Sequence, residues 1–171
     1  MTVTYEKIQS IIVSNDTTIT VDFTSILQTY TDIVIVGNLG CTKHSNRAPI
    51  RVNNDTSSNY STTYLRGNGT STLSSKGSNI DSGFMFDNIA IPTSFDGNCT
   101  LIFNNYSNTN TYKTFLCRHG STSRGTAVSI NTWRSTAAIS SIQITAGSGG
   151  EAGTNYWSIG STFTLYGIKA E

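Results

Sequence analysis

The chain is short of charge. Asp, Glu, Lys and Arg make up only 12% of its 171 residues, about half the roughly 25% usual in globular domains, so Ser, Thr and Asn must cover its solvent faces. Eleven basic residues against ten acidic ones leave a net charge of +1. No basic excess exists to neutralise a phosphate backbone, which excludes nucleic acid as the main partner. Long apolar runs are missing too: the longest, Ile33 to Val36, is far below the ~20 residues a membrane helix needs. Residues 1–6 carry neither the basic start nor the apolar stretch of a secretion signal. The three cysteines, Cys41, Cys99 and Cys117, are odd in number and far apart. That spacing argues against a zinc site or a disulfide framework and suits synthesis in a reducing cytoplasm. The two prolines, Pro49 and Pro92, are read at segment ends, where a sheet tolerates them. Glycosylation-like triplets, such as those at Asn54 and Asn68, are what chance gives in a chain so rich in Asn and Thr.

What is present is alternation. Residues 138–145 and 160–168 are two period-two runs joined by glycine-rich residues 146–150, which reads as strand, turn, strand. Between Ile139 and Ile142 the alternation slips at Ser140 and Ser141, the mark of a β-bulge. Residues 8–13 lead through a Ser-Asn-Asp cluster into residues 18–23, where Ile19, Val21 and Phe23 are expected on one buried face. Residues 32–37 lack alternation and are β-branched, which suits a central strand covered on both faces or one at a subunit contact. Residues 49–53 and 60–66 read as a hairpin with a long tip, and residues 70–82 as an exposed polar loop. Further runs follow around residues 84–91, 100–104, 111–118 and 127–130. About ten short strands, with no helical stripe, predict one all-β domain over residues 1–171, an antiparallel β-sandwich of jelly-roll type.

Chemistry has little support in this sequence. His44 and His119 lie in no metal-ligand spacing, and no cofactor motif appears. Cys117, His119 and Asp96 make a triad on paper only, without a Gly-x-Ser-x-Gly elbow. Cys117 reads better as a small hydrophobe. The aspartates sit in turns or at strand starts, where carboxylates bond their own backbone. Trp133, Tyr156, Trp157 and Tyr166 are candidates for an aromatic sugar platform or an interface, although strand aromatics are more often core. His44 and Arg47, in the polar stretch 41–47, are candidates for facing a partner.

Several phrases, in order along the chain, resemble a family of short all-β bacteriophage virion proteins. They are residues 28–37, 50–55, 59–61, 64–69, Trp133 with 137–142, and 160–168. The resemblance implies a jelly-roll-like domain on a phage particle and carries over no catalytic residues. It leads to the expectation of a non-enzymatic capsid decoration or cement subunit, located in the virion and touching other virion proteins. The alternative is a host-recognising tail or head-fibre component that binds a glycan or receptor. Low charge and strand edges also predict a homo-oligomer, with a trimer as first guess.

Overall fold

The computed structural model describes residues 5–43, 45–91, 95–147 and 154–169, with backbone only at 45, 46 and 86–91. Ser148 to Gly150 of the predicted turn, His44 and Pro92 lie outside the described residues. The described residues contain twelve strands and no helix. These are β1 (Tyr5–Ile12), β2 (Thr20–Phe23), β3 (Asp32–Leu39), β4 (Ser45–Val52), β5 (Tyr60–Gly67), β6 (Thr72–Ile80), β7 (Gly83–Ile91), β8 (Gly97–Asn104), β9 (Lys113–Ser121), β10 (Gly125–Trp133), β11 (Ile142–Thr145) and β12 (Thr162–Ile168).

Two antiparallel sheets form the sandwich: an eight-stranded one in the order β1-β12-β3-β8-β9-β10-β5-β6 and a four-stranded one in the order β2-β11-β4-β7. Set β5, β6, β9 and β10 aside and two four-stranded sheets remain, β1-β12-β3-β8 against β2-β11-β4-β7. From β1 to β4 each strand crosses to the opposite sheet, as β7 to β8 and β11 to β12 also do, which is the winding of a jelly roll. Two inserted hairpins, β5-β6 and β9-β10, pair with each other through β5 and β10 and widen one sheet only.

This winding corrects several sequence expectations. β11 and β12 belong to opposite sheets, as do β4 and β5, so neither pair is a hairpin. Period-two alternation marks a strand but not its partner, and in a jelly roll chain neighbours face each other across the core. Residues 72–80 are exposed as expected but form the edge strand β6 instead of a loop. β6 pairs along β5, and the ladder orders it without a buried face. Its Ser, Lys and Gly content suits an edge that must resist further pairing. Pro49 lies inside β4 at a register shift against β7 rather than at a strand end.

Ser140 and Ser141 form no bulge in a ladder; they precede β11. Asn53 holds them: its Oδ1 accepts from Ser140 N at 2.8 Å and Ser141 N at 3.1 Å, and its Nδ2 donates to Ala138 O at 2.8 Å. Asn53 sits at φ 51°, a left-handed conformation that Asn tolerates.

The core fills the space between the sheets. Val21 and Phe23 point inward as predicted, whereas Ile19 precedes β2 and is 42% exposed. Trp157 packs edge-on to Phe163 with centroids 5.0 Å apart, and Phe103 stacks on Phe115 at 4.8 Å. Gly167 has to be glycine for a packing reason, since a Cβ there would lie 2.3 Å from the Tyr30 ring. Beneath the inserted hairpins the interior turns polar. Asn131 Oδ1 accepts from Phe84 N at 2.9 Å, its Nδ2 donates to Phe84 O at 3.1 Å, and Ser129 Oγ donates to the same carbonyl at 2.8 Å. β7 is an edge of the small sheet, and these side chains serve the peptide groups of Phe84 as a missing strand would.

Candidate interaction face on the large sheet

A sandwich has two outer faces, and here they differ. On the small sheet the outward positions are polar: Thr20, Asp22, Gln143, Thr145 and Arg51 alternate with buried Val21, Phe23, Ile142, Ile144 and Ile50. Gln143 lies opposite both Asp22 and Arg51 and donates to Asp22 at 2.8 Å, while Arg51 pairs with Asp81 at 2.7 Å. That face is built for water.

On the large sheet, inward Ile33 and Ile35, Leu101 and Phe103, and Phe115 and Cys117 are fully buried, so the residues between them point out. The register places those residues in lines across the strands. Tyr166, Val34, Ile102, Leu116 and Ile130 form one unbroken line over β12, β3, β8, β9 and β10. The next line reads Thr164, Val36, Thr100, Arg118, Val128 and Leu65. Val36 is 44% exposed, and Leu65 and Ile130 are each 57% exposed. Arg118 is the one charged side chain in the two lines, and its Nη2 reaches Thr100 Oγ1 at 3.4 Å. Beyond them, Gly120, Thr126, Gly67 and Thr72 make a line of small residues. The step down from Leu65, Val128 and Arg118 leaves an open groove of about 720 Å³.

Of the candidates named from sequence, Tyr166 alone lies in these lines. Trp133 and Trp157 are core, 3% and 0% exposed, so the four aromatics do not form an exposed platform. The indole of Trp133 donates to Asp55 Oδ2 at 2.7 Å. Trp157 bridges to Cys41 and donates to Ile144 O at 3.4 Å. Tyr156 is half-buried, with its N–H directed to Asn155 Oδ1 and Thr42 Oγ1. Arg47 is exposed on β4 and lies over the Phe84 ring at 5.0 Å, at the mouth of a cleft of about 320 Å³ lined also by Thr62, Tyr64 and Ile80.

The paper triad resolves into structural roles. Asp96 Oδ2 accepts from Ser121 Oγ at 3.0 Å, Thr122 Oγ1 at 2.8 Å and Ser123 N at 2.9 Å, and so fastens the β9-β10 turn. Burial pushes the His119 imidazole down to about 4, against the opposing pull of Asp96. Burial likewise raises the thiols of Cys41 and Cys99 to about 12 and that of Cys117 higher still. Protonated, enclosed thiols pack as small hydrophobes. Among the described residues no three His, Cys, Asp or Glu side chains gather to hold a metal ion.

Apart from Tyr166 and the residues 32–37 run, the line-forming residues are not singled out by the sequence reading, because alternation identifies a strand by its buried face. The signal was nonetheless there: residues 32–37, 101–103, 115–117 and 127–130 each carry an apolar residue on the phase that should be polar. Fold and face together define an all-β jelly-roll sandwich with one polar outer face and one outer face crossed by an apolar band. The chain matches no protein-family model, no curated protein and no solved structure.

Proposed function

We propose that the chain is a non-enzymatic structural subunit of a bacteriophage particle, a decoration or cement protein of the capsid. The observation that supports this reading is the contrast between its outer faces. The polar sheet is fit to meet solvent, while an apolar line over five strands is fit to be covered in an assembly. The phrases that resemble phage virion proteins suggest the particle, and two of them, residues 28–37 and 160–168, cover most of β3 and all of β12, which carry part of that apolar line. A subunit repeated around a lattice gains holding strength from many modest contacts. By binding only the assembled shell, it would stabilise that state.

Quantitative mass spectrometry of purified particles, combined with thermal release of their DNA, tests the reading. Hundreds of copies per particle, and particles lacking the protein that release DNA at lower temperature, are the expected results. Its absence from particles, or unchanged release without it, would overturn the proposal.

A further inference from the structure

We infer that the apolar face of the large sheet is covered by a second copy of this chain, packed sheet on sheet about a two-fold axis. Size comes first. Eight strands about 4.8 Å apart, each about eight residues long at about 3.4 Å per residue, outline a face of roughly 1,000 Å². A standard interface takes roughly 800 Å² from each partner, so the face is large enough without help from edges or loops.

Charge selects the occupant. A partner with a strongly charged surface would find one guanidinium, Arg118, in the two central lines, with Lys7 and Lys76 only at the far edges on β1 and β6. The surface that matches a strip of Val, Ile, Leu, Tyr and Thr is another such strip, and the same face on a second copy provides it. An axis running with the strands between β8 and β9 lays the line from Tyr166 to Ile130 over its own equivalent. The same axis sets Arg118 of each copy above Thr100 of the other rather than above another Arg118, because the two residues are cross-strand neighbours. That separates the arginines, and the only like charges the axis brings together, Lys7 and Lys76 of opposite copies, lie on the edge strands β1 and β6, where solvent screens them. Sheets twisted in the normal sense pack this way at about 30°. The contact is isologous and therefore closes at two copies.

This inference deepens the proposed role but needs no virus particle, so the two can fail separately. The test is sedimentation of the full chain over a range of concentrations, for the wild type and for Ile130→Arg, Leu65→Arg and, on the polar sheet, Asp22→Lys. Both apolar positions are more than half exposed, so the arginines are compatible with the fold. The near-ultraviolet dichroism of buried Trp133 and Trp157 reports that each variant is native, and two independent positions guard against one failing to fold. The expected result is a wild-type mass twice the 18.4 kDa of the chain, dissociation constants raised roughly 30-fold or more by either arginine, and a wild-type mass and dissociation constant for Asp22→Lys. A monomer at every concentration, a trimer, or a dimer indifferent to both arginines would overturn the inference.

Discussion

Asn131 offers a sharp test of how the inserted hairpins are joined to the jelly roll. Its side chain is fully buried, and its amide meets both peptide groups of Phe84 while Nδ2 also reaches Ser129 Oγ at 3.2 Å. Replacing it with Ala leaves the Phe84 carbonyl bonded to Ser129 Oγ but strips the Phe84 N–H of its acceptor. An orphaned buried donor costs about 1–3 kcal/mol, and the space left by the carboxamide adds about 1 kcal/mol. The expected loss is therefore about 2–4 kcal/mol in a urea melt at pH 7. Asn131→Asp separates hydrogen bonding from volume, because it preserves size. One carboxylate oxygen still accepts from Phe84 N, but the other confronts Phe84 O, and the charge is buried without a counterion. Asn131→Asp is thus expected to be less stable than Asn131→Ala at pH 7. Its folded-state pKa is raised, so its stability should recover relative to wild type as pH falls and the neutral acid regains a donor. A loss under 0.5 kcal/mol for Ala, or an Asp variant as stable as wild type at pH 7, would refute the reasoning.

Other consequences are as direct. His119 is buried with its pKa near 4, below the ~6.5 of an unfolded chain, so the unfolded state takes up the proton first. Its contribution is full above about pH 6.5 and is lost progressively down to about pH 4, by up to ~3 kcal/mol; His119→Gln should flatten that part of a stability-versus-pH curve, and an unchanged curve would contradict the assignment. The three cysteines are buried and free, so a thiol reagent at pH 8 should label none in the native protein and all three in 8 M urea, which a mass spectrum counts. Fast labelling of any one in the native protein would show that the enclosure is wrong. Phe23, fully buried in β2, should cost about 3–5 kcal/mol when cut to Ala, and a change under 1 kcal/mol would remove it from the core.

Much of this fold was legible in the sequence, and the exceptions have physical causes. Period-two alternation marked β2, where Val21 and Phe23 are buried and Thr20 and Asp22 face out, and β12, where Phe163 and Leu165 are buried between Thr162, Thr164 and Tyr166. The residues 32–37 run, without alternation, pointed to β3 as covered on both faces or at a contact, and Val34 and Val36 now stand in the two outer lines. What alternation cannot encode is pairing. Residues 49–53 and 60–66 look like hairpin arms, yet β4 and β5 lie in opposite sheets, and after β4 the Asn53 side chain bonds distant residues 138–141, a contact that no periodicity announces. β6 was hidden because a ladder needs only backbone, so a strand of Ser, Thr, Gly and Lys leaves no pattern. The tryptophans were candidates for an exposed platform on residue type alone, and burial of Trp133 and Trp157 depends on contacts far away in the chain, such as that between Trp133 and Asp55.

The central claim, that the apolar side of the large sheet is an interface and not a solvent face, can be tested by side-chain footprinting. Hydroxyl radicals applied to dilute and concentrated protein should label Leu65, Leu116, Ile130 and Tyr166 progressively less as concentration rises, while exposed residues elsewhere, such as Leu27 and Tyr112, keep constant labelling. Equal labelling of the apolar line at all concentrations, or protection confined to other surfaces, would contradict the account.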